Sequence, residues 1–288
     1  MIYLESFKFP TDDQEDRFFT EKLYVPEEIY PWKMLSTKDF FSIDCERITI
    51  LYGGNGSGKS TALNTIAQTI GIERTTLFNR GYYHYDDFIS QCSYKTNPLL
   101  KEPLVEVSSI ITSDEVFDSI LHTRKSNAQH ELKSNALADF YRDHTPVRSI
   151  DFDNPASMDR YTQYVNAINK SKRGFIRGEI GDKHRSQSNG ETAYLRIIKN
   201  ISEGLYLLDE PENSLSARWQ SKLAEFIKMS AYSCNCQFII ATHSPFLLGI
   251  EGAKIYNLDE DYVTISQWHE LESTKLYYNL FRKLEGKI

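Results

Sequence analysis

The chain has 288 residues, 40% of them hydrophobic and 25% charged, which suits one large globular domain or a domain with an insert and excludes a disordered protein. Its net charge is −7, from 33 Lys and Arg against 40 Asp and Glu, so contact with nucleic acid needs a local basic patch and not the whole surface. No apolar stretch reaches the ~18 residues of a membrane span, the N-terminus lacks the pattern of a secretory signal, and Cys45, Cys92, Cys234 and Cys236 form no C-x-x-C pair, so the expectation is a cytoplasmic chain with free thiols and no membrane insertion.

Along the chain, Ile2, Leu4, Phe7 and Phe9 are spaced roughly as on a strand. Residues 10–45, rich in Pro, acids and aromatics, read as loop with short elements. R-I-T-I-L-Y at 47–52 is a β-branched run that predicts a buried strand. It enters G-G-N-G-S-G-K-S-T at 53–61, and Leu63, Ile66, Ala67 and Ile70 then fall at helical spacing before a stop at Gly71. Residues 72–103 are irregular and aromatic-rich, L-V-E-V-S-S-I-I at 104–111 reads as a strand, and about 115–185 is polar and helical, an insert within a single domain spanning 1–288. In S-Q-S-N-G-E-T-A at 186–193, Ser188 and Glu191 stand three apart just ahead of Ala193, Leu195, Ile197 and Ile198, the spacing of a capping box at a helix start. A strand L-Y-L-L-D at 205–209, a helix at about 214–230, a strand C-Q-F-I-I-A at 236–241, short strands near 253–257 and 262–266 and a terminal helix from about 269 complete the pattern. Strands that alternate with helices predict an α/β fold with a mainly parallel sheet.

Residues 53–61 fit G-x-x-x-x-G-K-[ST] at Gly53, Gly58, Lys59 and Ser60, with a strand leading in and a helix leading out. The loop Gly53, Gly54, Asn55, Gly56, Ser57, Gly58, Lys59, Ser60 and Thr61 has the composition to turn backbone N–H groups around phosphates, and the helix end adds its own unpaired donors. Lys59 suits the β- and γ-phosphates of ATP and the Ser60 hydroxyl suits Mg²⁺. Asp209 ends an apolar strand where a carboxylate would serve Mg²⁺, and Glu210 beside it would be the general base for water. His243, in A-T-H-S-P after the following strand, is placed to reach the γ-phosphate or that water.

These elements together resemble ABC-type ATPases, and the wording D-E-P-E-N-S-L and A-T-H-S-P is similar to the stand-alone SMC-like and RecF-like branch, including small bacterial ATPases described as AAA-class. The resemblance implies a P-loop fold with an antiparallel β portion at the N-terminus and a helical insert. It implies ATP hydrolysis in an ATP-dependent homodimer in which the helix start at Ser188, Asn189, Gly190 and Glu191 meets the nucleotide of the other copy. Asn213 and Ser214 would contribute to the dimer loop, since Ser216 stands where that loop usually carries an aspartate. The position of the glutamine that usually reaches Mg²⁺ points to Ser113 or Asp114, with Gln91 as a further candidate. Tyr30, Trp32, Phe40 and Phe41 precede the loop as aromatics, each weighed as core against a platform for adenine. The basic stretch from Lys170 to Arg185 reads as a solvated face or as a contact to a nucleic-acid backbone. An effector protein or DNA is the expected target of such a switch; the alternatives are a transporter's nucleotide-binding subunit and a slow regulatory module. An insert this short excludes the long coiled-coil arms of SMC proteins.

Overall fold

The computed structural model describes residues 1–22, 29–81, 84–143 and 189–285. The strands are β1 (Leu4–Lys8), β2 (Ser42–Asp44), β3 (Ile48–Tyr52), β4 (Ser93–Thr96), β5 (Ser108–Thr112), β6 (Gly204–Asp209), β7 (Cys236–Thr242), β8 (Lys254–Asn257) and β9 (Thr264–Ser266). The helices are α1 (Asp12–Lys22), α2 (Lys59–Ile70), α3 (Tyr85–Gln91), α4 (Ser113–Asp143), α5 (Asn189–Ile198), α6 (Ala217–Ser233), α7 (Pro245–Leu248) and α8 (Glu272–Glu285).

The main sheet has the order β5-β6-β7-β3-β8-β9, parallel throughout except for β9, which returns antiparallel to β8. Every residue of β3, β6 and β7 is buried, as expected of central parallel strands covered on both faces. The second sheet, β2-β1-β4, is antiparallel and comes from the N-terminal part of the chain. The expected fold class therefore holds: a mainly parallel sheet flanked by helices, with a small antiparallel sheet.

One core joins the two sheets. Leu63, Ile66, Ala67 and Ile70 of α2 pack with Leu4 and Phe7 of β1, Leu51 of β3, Leu205 and Leu207 of β6 and Ile239 and Ala241 of β7. Each fully buried Leu or Ile contributes about 2 kcal/mol, so this α2 face holds the phosphate loop firmly against the sheet. Gln237, wholly buried in β7, bridges the sheets by hydrogen bonds: its Oε1 accepts from the Tyr3 and Leu4 N–H groups at 2.7 and 2.9 Å, and its Nε2 donates to the Leu4 and Glu46 carbonyls at 2.9 and 3.1 Å. On β7 also packs α6, which buries Leu223, Ile227 and Ala231.

Some elements differ from the sequence expectation. Residues 104–107 form a 3-10 turn, and the strand covers only 108–112. Residues 10–45 contain the eleven-residue helix α1, and 72–103 contain α3 and β4. The terminal helix begins at Glu272. By packing, the chain divides into two units, Met1–Phe117 with Ser188–Ile288, and Asp118–Gln187. The helix α4 covers the first part of the expected insert; residues 144–187, with the basic stretch, lie outside the described residues.

Candidate active site

The register of the sheet brings the candidate residues to one edge. Thr112 lies opposite Asp209, Asp209 opposite Ala241, and Thr242 opposite Tyr52, so the segments after β5, β6, β7 and β3 leave the sheet side by side. In parallel α/β sheets this carboxyl edge is where ligands bind.

After Tyr52 the chain forms the phosphate loop. A side chain at Gly53 would run into the Ser57 side chain, so the loop closes this tightly only with glycine there. Gly58 has φ +103°, a conformation that other residues rarely adopt, and it starts α2 while leaning on Leu35. The first turn of α2 then carries Lys59, Ser60 and Thr61 with N–H groups that have no partner within the helix. Within the loop, the Gly54 N–H donates to the exposed Asp259 Oδ1 at 2.6 Å. Thr61 Oγ1 lies 3.0 Å from the Tyr30 hydroxyl and 3.3 Å from Met34 Sδ, so the segment before β2 braces the loop from outside.

Ser60 Oγ donates to Asp209 Oδ1 at 2.8 Å. Burial pushes the Asp209 carboxyl above its ordinary range, and the neighbouring Glu210 charge adds to this; the Ser60 hydroxyl and the Arg74 and Lys59 charges oppose it. Lys59, itself buried, donates to the Gly54 carbonyl at 2.8 Å and stands 3.5 Å from Glu210 Oε1. Glu210 has φ +46°, a left-handed conformation uncommon for a residue with a long side chain. Its N–H donates to the Ala241 carbonyl at 2.9 Å, and Asn213 Nδ2 donates to its Oε2 at 2.9 Å. Asn213 thus touches the candidate base within the same chain. It belongs with Ser214 to the 3-10 turn Pro211–Ser214.

His243 follows β7 with its side chain half exposed and its Nδ1 3.5 Å from Glu212 Oε1. Glu212 was not singled out by sequence, yet it ties two site loops together. Its buried Oε1 accepts from the Thr242 hydroxyl at 2.5 Å and from the His243 and Ser244 N–H groups at 2.9 and 3.2 Å. The Nδ1 side of the His243 ring faces this carboxylate, which leaves Nε2 to accept from water, or to donate to a phosphate oxygen when it carries a proton. Ser244 Oγ continues the chain of contacts to Gln220 of α6 at 2.8 Å.

Arg74 was also missed. Its buried side chain donates to Asn64 Oδ1 at 2.7 Å and Thr76 Oγ1 at 2.9 Å and stands 3.6 Å from Asp114 Oδ2. A lone arginine after a helix stop carries no sequence signal; only the fold brings its charge to bear on Asp209. Ser113 opens α4 directly after β5, so the segment proposed for the glutamine role starts at the site edge. Gln91 instead lines an open cavity of about 510 Å³ with Phe9 and Phe41. Trp32 and Phe40 are core: Trp32 stacks on Phe18 at 4.3 Å and Phe40 packs on Phe9 and Tyr256.

The helix α5 starts at Asn189, one residue after Ser188, and Ser188 itself lies outside the described residues. A Cβ at Gly190 would meet the Trp219 ring at 3.0 Å, and Tyr194 stands over the same ring at 5.0 Å. The helix start therefore packs on the beginning of α6.

The residues fit a bound nucleotide with Mg²⁺. The Gly53 cradle admits no side chain, and the buried Ser57 Oγ beside it has no hydrogen-bond partner among the described residues. Ser60 and Asp209 offer the hydroxyl and the single carboxylate typical of a Mg²⁺ completed by phosphates and water. Among the described residues no cluster of three or more His, Cys, Asp or Glu offers an all-protein metal cage.

Residues 185–249, from the helix start through Asp209 and Glu210 to past His243, match the family described as "AAA domain, putative AbiEii toxin, Type IV TA system". No curated protein matches the chain. Among solved structures, the chain is similar to an Smc head domain with an extended coiled coil bound to the C-terminal domain of ScpA, from Pyrococcus furiosus, at 14% identity and a TM-score of 0.43, over 97% of this chain and 100% of that one. It is also similar to a nucleotide-free ATP-binding cassette from an ABC transporter, at 14% identity and a TM-score of 0.42, over 97% and 96% of the two chains. Identity this low leaves function to be argued from the site's own residues. No helix among the described residues is long and apolar enough to cross a membrane.

Proposed function

We propose that the protein binds ATP with Mg²⁺ and hydrolyses it between two copies of the chain, as an ATP-driven conformational switch in a DNA-related or defence and repair system. The observation that carries this is one constellation at the sheet edge: Ser60 on Asp209 at 2.8 Å, with Lys59 3.5 Å from Glu210. The match to a family whose description names a toxin of a type IV TA system supports the defence side.

Lys59 would exchange the Gly54 carbonyl for oxygens of the β- and γ-phosphates. Ser60 and Asp209 would hold Mg²⁺, which when bound there neutralises charge on the transferred phosphoryl group. Glu210 would take the proton of the attacking water as that oxygen bonds to the γ-phosphorus and the bond to the bridging oxygen breaks, giving ADP and phosphate. Asn213 would hold Glu210 in place, and His243, oriented by Glu212, would donate from Nε2–H when protonated or accept from the water when neutral. Ser188, Asn189 and Gly190 of the second copy would bring the N-terminus of α5 to the γ-phosphate, with Glu191 turned back to cap its helix.

The test is Glu210→Gln. Hydrolysis should fall at least about a hundredfold, as for loss of a general base, while ATP now traps a dimer visible by size-exclusion chromatography with light scattering. A variant that stays monomeric at every ATP concentration rules out the sandwich. Ser188→Arg should abolish turnover and leave ATP binding to a single chain intact; unchanged turnover would remove Ser188 from the site.

A further inference from the structure

The terminal helix α8 buries none of its residues. Leu276, Tyr277, Leu280, Phe281 and Leu284 keep 62, 45, 51, 62 and 40% of their surface exposed. At 100° per residue these five form one apolar stripe about 140° wide. The first turn of that same face rests on the protein: Leu271 just before it is buried, and Ser273 Oγ accepts from the Tyr52 hydroxyl at 2.9 Å. Beyond that turn no described residue buries the stripe. A helix of this length is marginal in water by itself, so the stripe needs a cover.

We propose that the cover is the α8 of a second copy, packed antiparallel about a two-fold axis. Two observations favour this occupant. The first is charge. Glu272 and Lys283 flank the stripe on the same side and at opposite ends of the helix. Antiparallel pairing about a two-fold axis sets Glu272 of each helix on the same edge of the contact as Lys283 of its mate, whereas a parallel two-fold pair leaves these residues on opposite edges with no partner of opposite charge. The second is area. Five side chains exposed to this extent present roughly 500 Å² per copy, so a two-fold contact that uses both faces removes up to about 1,000 Å² in total, the small end of specific interfaces and in keeping with a reversible dimer. The contact is self-complementary, closes on itself and requires no nucleotide. Because Tyr52 is the last residue of the strand that enters the phosphate loop, α8 is fastened directly behind that loop.

The experiment is sedimentation of the full chain without nucleotide over a concentration series, in the Lys59→Ala background so that an ATP sandwich makes no contribution. A dimer in reversible equilibrium is expected. Leu280→Glu, at an exposed position, should raise the dissociation constant at least about tenfold by placing a charge in the stripe. Glu272→Lys and Lys283→Glu should each weaken the dimer about fivefold, since two symmetric pairs are lost; the double reversal should restore it to within about twofold. Circular dichroism confirms that each variant keeps its helix content. A parent monomeric at every concentration overturns the proposal, as does a Leu280→Glu chain that dimerises unchanged. A double reversal weaker than either single variant overturns the antiparallel arrangement. If the parent is monomeric but floats with anionic lipid vesicles and Leu280→Glu does not, the cover is a membrane surface and the second copy is excluded.

Discussion

At the scale of single residues, the phosphate loop depends on acids outside its motif. Glu15 of α1 is buried, and its Oε2 accepts from the Ser36 hydroxyl at 2.6 Å and the Lys33 N–H at 2.9 Å. Those bonds hold the segment that sets Met34 on Thr61 and Leu35 on Gly58. Burial pushes the Glu15 carboxyl above its ordinary value of 4.5, outweighing the two hydrogen bonds and the Lys33 charge. For a carboxyl raised in the fold, the protonated form is the favoured one. Its contribution is therefore fully present below 4.5 and is lost as pH rises through the folded value, after which the buried charge is a standing cost. Glu15→Gln keeps an oxygen for both donors and removes that cost. The variant should be more stable than the parent at pH 7.5 in urea titrations, with the gap closing as pH falls towards 4.5. Glu15→Ala removes the acceptor and should lose about 1–3 kcal/mol. A Glu15→Gln chain less stable than the parent at pH 7.5 would mean that the ionised carboxylate is the favoured form.

At the scale of elements, the sheet is held together across sequence distances that no local pattern records. Gln237 sits in a strand otherwise apolar, C-Q-F-I-I-A-T, and its amide supplies four backbone groups with partners, the N–H groups of Tyr3 and Leu4 and the carbonyls of Leu4 and Glu46, which ties β7 to the start of β1 and to the segment ahead of β3. Gln237→Leu fills the same space and leaves two N–H and two carbonyl groups unpaired. It should cost about 3–5 kcal/mol by chemical denaturation; a loss under about 1 kcal/mol would show that the strands relax to pair otherwise. The same distinction explains what the sequence made legible. The strand at 47–52, the glycine loop and the helix after it are local signals, as is the apolar strand that ends at Asp209, so these elements and the placement of Lys59, Ser60, Asp209 and Glu210 at one sheet edge are legible in the sequence. The stretch 72–103 hid α3 and β4 because β4 is stabilised by pairing with β1, about ninety residues away, and has little alternation of its own: its residues are mostly exposed. Residues 104–107 looked like strand because Leu104, Val105 and Val107 are β-formers, but Pro103 leads them into a turn and the pairing with β6 begins only at Ser108. Glu212 and Arg74 gain their meaning from partners on other loops, Glu212 from Thr242 to Ser244 and Arg74 from Asn64 and Asp114.

At the scale of the whole molecule, the site is assembled from four separated stretches: the loop at 53–61, the turn after β6, the end of β7, and Arg74. A ligand held by all of them binds the folded chain and has nothing to bind in the unfolded one, so its affinity appears as stability. ATP with Mg²⁺ at a hundred times its dissociation constant should add about 2.7 kcal/mol, which for a chain of this size is a rise of about 4–5 °C in melting temperature. Lys59→Ala should lose the shift, because the Lys59 ammonium is held inside the loop by a hydrogen bond to the loop's own Gly54 carbonyl. Glu210→Gln should keep the shift and exceed it. The carboxylate 3.5 Å from Lys59 competes with phosphate for that ammonium, and glutamine does not. If the variant also traps a dimer, its melting temperature will rise with protein concentration in the presence of ATP, as mass action requires for an oligomer, and that of Lys59→Ala will not change with ATP at any concentration. Differential scanning fluorimetry of the three proteins, each with and without ATP at two protein concentrations, reads all of these at once. An equal ATP shift in Lys59→Ala would place the nucleotide somewhere other than the phosphate loop.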